Sequence, residues 1–174
     1  MTLHTSYFQG GPAFSSFKTR RLLSRLQAVC PAVQSLQTAF VYLLATDKAV
    51  NAAESARLAQ LLDALADNAK PLSPPDTFTV VVSPRQGTVS PWASKAGDIA
   101  RNCGFKLHRL ERLTEYSLHL STAYQPTPTE VQAIHALLHD RMTESVWPDR
   151  QSANTLLQAE IGRASCRERV SSPV

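Results

Sequence analysis

The sequence has few cysteines and no long apolar run, and each of these absences excludes a class of protein. Cys30, Cys103 and Cys166 are too few and too scattered for a disulfide framework or a zinc site, so we expect reduced thiols. No stretch approaches the roughly 20 apolar residues that a membrane-spanning helix needs. The N-terminus also lacks the basic flank and apolar centre of a secretory signal, which predicts a cytoplasmic location.

What the 174 residues do contain is the composition of a globular protein, with 43% hydrophobic and 18% charged residues. A chain of this length forms one domain or two small lobes, and folding buries roughly two-thirds of the surface that the unfolded chain exposes. We therefore expect a substantial hydrophobic core.

The C-terminal end changes the interpretation of the net charge. The run "EIGRASCRERV", which begins at Glu160, has no apolar periodicity and reads like a sequencing adapter translated in frame. We therefore expect residues 160–174 to be an adapter-derived artefact. Residues 161–174 carry three arginines and one glutamate, and so supply +2 of the formal charge of +4. The remaining charge is too small to indicate a nucleic-acid partner.

Hydrophobic periodicity and end signals predict an α+β fold in which helices cover an antiparallel or mixed sheet. The order also allows two related lobes that meet at a proline-rich connector, residues 69–77. The predicted elements are a helix at 15–29, a strand at 34–46, a helix at 52–67, a strand at 78–82, a helix from 91 to 103, two short strands within 106–121, and a helix from 128 to near 147.

The stretch "SPRQGTVSPWASK" joins a predicted strand to a predicted helix. Ser90 is suited to cap this helix and Pro91 to occupy its first position, where a missing N–H costs nothing. Trp92, Ala96, Ile99, Ala100 and Cys103 then form its predicted apolar stripe. The position of Gly87 does not match the residue spacing of a phosphate-binding loop. An anion-binding or substrate-edge role and a rigid interdomain loop both remain open.

Other candidate sites are weaker. His135 and His139 have the spacing of two metal ligands on one helix face, but the run "HALLH" lacks the glutamate of a zinc-protease helix, so we predict no metal site. Cys103 lies in the apolar stripe, and Ser94 beside Lys95 has no orienting partner, so we predict no catalytic nucleophile.

A cluster of basic residues precedes and enters the predicted strands. Glu111 and Glu115 interrupt it, and strand alternation divides it between two faces, so we expect a solvated surface and no nucleic-acid partner. The basic residues concerned are Arg101, Lys106, His108, Arg109 and Arg112.

Four motifs in register carry a family resemblance. "GGPAFSSFKTRRLLSRLQ", "SPRQGTVSPWASKAGDIARNCG", "HRLER" and "LHDRMTESV" occur in the order and approximate spacing of the N-terminal region of large single-chain phosphoribosylformylglycinamidine synthases. The chain resembles that PurS-like region over about residues 9–147. The resemblance implies a domain at 1–148, with the start of a linker at 149–159.

The resemblance also implies a function. The parent enzyme uses ATP, Mg²⁺ and glutamine to convert formylglycinamide ribonucleotide to formylglycinamidine ribonucleotide in purine biosynthesis. This chain ends before the synthetase and glutaminase regions, which would be its partners, so we expect a non-catalytic scaffold with no cofactor of its own. An independent phosphometabolite-binding module and a self-associating PurS-like module are the alternatives. Arg85, Thr88, Trp92, Ser94 and Lys95 are our predicted interdomain or substrate-edge contacts.

Overall fold

The computed structural model describes residues 3–66 and 77–157. Six strands and four α-helices alternate along these segments, followed by a short 3₁₀ helix, Ser152–Asn154. The strands are β1 (His4–Gln9), β2 (Val33–Thr46), β3 (Leu65–Ala66), β4 (Thr77–Pro84), β5 (Arg109–Leu120) and β6 (Glu144–Trp147). The helices are α1 (Ser16–Val29), α2 (Ala52–Leu61), α3 (Pro91–Asn102) and α4 (Pro128–Leu138).

The strands form one antiparallel sheet in the order β3-β1-β2-β5-β4-β6. This order is symmetric about the central pair β2 and β5, because β1-α1-β2-α2-β3 and β4-α3-β5-α4-β6 follow the same path on either side. The α+β prediction is confirmed. The two related halves share one continuous sheet, so they are not separate lobes.

Side-chain alternation along the strands divides the core between the two faces of the sheet. On one face, α1 and α4 pack over Val80, Val82 and Tyr116, while α2 and α3 pack over Phe8 and Leu44 at the other end. The opposite face carries a separate cluster made by neighbouring strand residues and by Ala153, Leu156 and Leu157 of the chain end. All four α-helices therefore cover one face, and the C-terminal segment covers the other.

Local end signals place the helix starts correctly. Asn51 with Glu54, and Thr127 with Glu130, form capping boxes that begin α2 and α4 at equivalent points of the two halves. Ser90 accepts a hydrogen bond from the N–H of Ala93, and Pro91 is the first residue of α3, as predicted. Such caps each stabilise a helix by about 1 kcal/mol.

Several predicted boundaries are wrong because tertiary pairing overrides the local pattern. The two short strands predicted within 106–121 are one strand, β5, which pairs with β2 along one side and with β4 along the other. The last helix ends at Leu138, and the exposed Met142 lies in a turn before Trp147 enters β6. The strands β1, β3 and β6 were not predicted.

The apolar stripe of α3 was predicted in part. Trp92, Ala96 and Ala100 pack into the core as predicted. Ala93 and Gly97 are also buried, whereas Ile99 is 54% exposed and Cys103 is exposed, contrary to the prediction. Small residues allow this helix to lie close to the sheet. The helix predicted at 52–67 ends at Leu61. The connector at 69–76, the last two predicted linker residues, and the expected artefact with Cys166 lie outside the described residues.

Candidate functional site

The loop between β4 and α3, residues 85–90, is fixed by its own backbone. The N–H of Arg85 donates to the carbonyl of Thr143 at 2.9 Å, and the N–H and hydroxyl of Thr88 both donate to the carbonyl of Arg85. Gly87 completes the turn with a φ of +81°, a conformation that side chains with a Cβ rarely adopt. The loop is therefore one defined turn that leads directly to the cap of α3.

A buried ion pair on β5 anchors this loop from below. Arg109 Nη2 lies 3.0 Å from Glu111 Oε2, and both side chains are nearly inaccessible to solvent. Glu111 Oε1 accepts a hydrogen bond from Ser90 Oγ at 2.6 Å, and Arg109 donates to the carbonyl of Thr88. One carboxylate and one guanidinium thus hold both the turn and the helix cap in place. Charge-assisted hydrogen bonds of this kind are stronger than neutral ones.

This anchor corrects the expectation of a solvated charged surface on β5. Alternation does divide the charges, since Arg109, Glu111 and Glu115 face away from the helices and Arg112 faces toward them. Arg109, Glu111 and Glu115 are nevertheless all buried. A spacing pattern alone gives no sign of this, because the segments that cover them are far away in sequence.

The covering segment, residues 149–157, will be called the C-terminal strap. Arg150 makes a bidentate pair with Glu115, with nitrogen–oxygen distances of 2.6 and 2.7 Å, and also donates to Gln9. Tyr7 donates to the carbonyl of Arg150 at 3.1 Å and to Asn154. Arg109 Nη1 donates to the carbonyl of Leu156 at 3.4 Å. The strap, which we assigned to the start of a linker, therefore packs on the sheet; the domain boundary itself stays a prediction.

Four of the five predicted contact residues point to solvent. Arg85 and Thr88 lie on the turn, and Ser94 and Lys95 lie in the exposed first turns of α3. Trp92 is half-buried and points into a cleft, where it stacks on Tyr42 at 5.4 Å between ring centroids. The first four are exposed, whereas Trp92 is half-buried and lines the cleft. Whether any of them contacts a partner stays a prediction.

The cleft that contains Trp92 lies beside the start of α3, near the middle of the β2–β5 ladder. We call it the central cleft; it has a volume of about 370 Å³. The guanidinium of Arg112 lies 4.4 Å from the centre of the Phe40 ring and 5.0 Å from that of Trp92. Its lining residues are Phe40, Val82, Ser83, Pro84, Ser90, Pro91, Trp92, Arg112, Thr114, Thr143 and Glu144.

Arg112 is the functional candidate that sequence reasoning missed. The sequence does contain one signal, because strand alternation in "HRLER" places Arg112 on the opposite face from Arg109 and Glu111. That signal did not reveal the aromatic partners, because Phe40 and Trp92 come from different elements. Arg112 and Trp92 are brought together only when β5 and α3 pack in the same half.

The two histidines on α4 serve local structure. His135 stacks on Phe78, and burial lowers its pKa from the ordinary value, with a smaller contribution from His139. His139 caps the helix through its backbone N–H, which donates to the carbonyl of His135.

Among residues 3–66 and 77–157, no three His, Cys, Asp or Glu side chains come together as potential metal ligands. No helix of the described segments is long and apolar enough to cross a bilayer.

Comparison with protein families matches residues 39–157 to the model of the formylglycinamide ribonucleotide amidotransferase N-terminal domain. The chain belongs to this family. The match begins within β2, at residue 39, and covers β5, the loop at 85–90, the central cleft and the whole C-terminal strap. The recognition made from the four motifs is therefore confirmed at the level of this amidotransferase N-terminal region.

Proposed function

We propose that this chain is a non-catalytic scaffold and coupling domain of a phosphoribosylformylglycinamidine synthase. The parent enzyme would use ATP, Mg²⁺ and glutamine to convert formylglycinamide ribonucleotide to formylglycinamidine ribonucleotide in cytoplasmic purine biosynthesis. The synthetase and glutaminase regions of the same parent chain would be the partners of this domain. The chain itself would make or break no bond and hold no cofactor. Family membership supports this proposal.

One structural observation carries the proposal. The loop at 85–90 has an exposed outer surface and a buried, charge-paired base formed by Arg109 and Glu111. A loop held this firmly loses little conformational entropy when a partner binds, which favours a specific protein contact. Such a contact can keep two catalytic regions in register and keep water away from an ammonia intermediate that passes between them.

Replacement of Lys95 in the full-length parent enzyme tests the contact role. We expect Lys95→Ala to lower glutamine-dependent synthesis severalfold and to change the free energy of unfolding by less than about 0.5 kcal/mol, because the side chain is exposed. Lys106→Ala is the matched control, since Lys106 is also exposed but lies in the loop after α3. Equal loss of stability and activity in Lys95→Ala would contradict the proposal.

A second candidate is an independent module that binds a phosphorylated metabolite or associates with itself. The central cleft favours the binding version, because it combines an arginine, two aromatic rings and hydroxyl groups in about 370 Å³. A ligand that binds only the folded state must raise its stability by mass action. Stabilisation of the isolated chain by formylglycinamide ribonucleotide would favour this candidate. A mass that rises with protein concentration would favour self-association.

A further inference from the structure

Arg112 differs from the other two arginines that pack against the strands of the sheet. Arg109 and Arg150 each pair with a buried glutamate. For Arg112, no carboxylate among the described residues lies within 4.0 Å of the guanidinium. Its contacts are instead the rings of Phe40 and Trp92. A half-buried cation thus lines a cleft and is positioned by two aromatic side chains.

Cation–π contacts position a guanidinium without using its N–H donors. Five N–H groups in a planar fork match the two oxygens of a carboxylate. No hydrogen bond from this guanidinium to another described side chain or carbonyl is present. The geometry is therefore that of a preorganised anion receptor that residues 3–66 and 77–157 leave open.

Two features of the cleft favour a carboxylate over a phosphate. First, the start of α3 offers few donors, since Pro91 has no N–H and Ser90 already accepts from the N–H of Ala93. Second, the carboxylate of Glu144 also lines the cleft, and its negative charge repels a dianion more than a monoanion. A single carboxylate needs only the fork of Arg112.

We propose that Arg112 in the central cleft receives an aspartate or glutamate side chain from the part of the parent enzyme that lies outside this sequence. The inference rests on the proposed scaffold function and names the chemistry of one contact. The cleft then links the two halves of this domain to its partner at the middle of the sheet.

Zero-length cross-linking of the full-length parent enzyme tests the proposal directly. In Arg112→Lys the introduced amine can be coupled by a carbodiimide to a carboxylate that touches it, and peptide mass spectrometry identifies the joined residue. We expect a cross-link from position 112 to an acidic residue outside residues 1–174. Arg57→Lys is the matched control, because Arg57 also lies over a ring, Phe105, but faces a different surface. A cross-link only to Glu144, or none, would overturn the proposal.

Measurements of synthesis activity and hydroxyl-radical footprinting distinguish failure of the Arg112 contact from failure of the proposed scaffold function. We expect Arg112→Met to lower glutamine-dependent synthesis about tenfold or more, because it leaves a desolvated carboxylate unpaired in the partner. Hydroxyl-radical footprinting should show Phe40 and Trp92 protected in the parent enzyme and reactive in the isolated chain. Protection of Arg85 and Lys95 without protection of the cleft would retain the scaffold function and overturn the Arg112 contact.

Titration with inorganic phosphate tests whether the anion that binds in the central cleft is a free phosphorylated compound or a protein carboxylate. Addition of phosphate to the isolated chain should leave the Trp92 indole N–H signal unchanged at millimolar concentration. A saturable shift that Arg112→Met abolishes and Arg57→Met does not would mean that the cleft binds a free phosphorylated compound, and would overturn the proposed protein carboxylate.

Discussion

The two halves of the sheet share a topology but fill the face beneath the C-terminal strap with different chemistry. In the first half, β2 contributes Val41, Leu43 and Ala45, which are buried and apolar. In the second half, β5 contributes Arg109, Glu111 and Glu115 around a single Leu113. Apolar packing is enough to bury a strand, as β2 demonstrates. The charges of β5 must therefore provide something that packing does not.

Directional bonding is what the charged strand provides. Replacing a buried ion pair by apolar residues is often neutral for stability, whereas breaking one by removing a single partner is strongly destabilising. The pairs of β5 hold three particular groups: the turn at Thr88, the cap at Ser90 and the strap at Arg150. On this face, β2 of the first half contributes apolar packing, and β5 of the second half fixes the positions of the turn, the cap and the strap. The candidate site lies in the half that specifies positions.

The strap should show the largest effect when it is removed. A chain that ends at Pro148 loses the counterion of Glu115 and the buried side chains of Ala153 and Leu156. Burial of one large apolar side chain stabilises a fold by about 1.5–3 kcal/mol, and the strap also covers Val41, Leu43 and Leu113, so we expect this chain not to fold at 25 °C. Circular dichroism and urea denaturation measure this. A chain that ends at Ala159 is the control and should keep the stability of the 174-residue protein. A stable 148-residue chain would show that the strap is dispensable.

Breaking one buried ion pair is the next largest change. Glu115→Gln preserves the shape of the side chain but removes the negative charge that pairs with Arg150 in a buried site, which should cost about 3–5 kcal/mol. Asp98→Asn breaks the exposed pair with Arg101, whose side chains are 74% and 49% exposed, and should cost less than about 0.5 kcal/mol. Urea denaturation of both variants gives the contrast. Similar losses would mean that burial does not distinguish the two pairs.

The two helix caps compare the halves directly. Ser15 is the N-cap of α1 and accepts one weak hydrogen bond from the N–H of Lys18 at 3.4 Å. Ser90 is the N-cap of α3; it accepts from the N–H of Ala93 and also donates to the buried Glu111. We expect Ser15→Ala to lower the free energy of unfolding by about 0.5–1 kcal/mol and Ser90→Ala by about 2–3 kcal/mol, because the second change also removes the shorter of two hydrogen bonds to a buried carboxylate oxygen. Equal costs would show that the anchor beneath the loop adds nothing to the cap.

These comparisons also explain what could be predicted from the sequence. The starts of α2, α3 and α4 follow from residues three apart, such as Asn51 with Glu54, because capping is a local interaction. The strand β2 has enough branched and aromatic residues to be recognised alone. In contrast, β1 has the weak pattern "HTSYFQ" and forms by pairing with β2.

The buried charges could not be predicted, because burial of a charge depends on partners that are distant in sequence. Glu115 and Arg150 are 35 residues apart, and Tyr7 reaches Arg150 across 143 residues. A run such as "HRLERLTEY" reads as a solvated surface when only its neighbours are considered. The predicted contact residues were chosen from the loop and the start of α3 alone, and their role as contacts stays a prediction. The pairing of Trp92 with Arg112 depends on two elements and was missed.

Alkaline pH should reveal a smaller difference between the halves. Burial raises the pKa of Tyr116 from its ordinary value of 10.0 to about 12, and its hydroxyl donates to the carbonyl of Leu138. Between pH 10 and pH 12 the unfolded chain loses this proton before the folded chain does, so stability falls as the pH rises, at roughly 1 kcal/mol per pH unit. Burial also raises the pKa of Tyr42 in the first half, which is more exposed than Tyr116.

Unfolding measured at pH 8, 10 and 11 separates the two tyrosines. Tyr116→Phe should cost about 1 kcal/mol at pH 8, where it loses one hydrogen bond, and should flatten the decline above pH 10. Tyr42→Phe should flatten the decline less, because a side chain nearer to solvent pays a smaller penalty for ionising. An unchanged alkaline slope in Tyr116→Phe would mean that this tyrosine ionises equally easily in the folded and unfolded chains. The helices α1 and α4, which cover it, would then exclude less water than their packing implies.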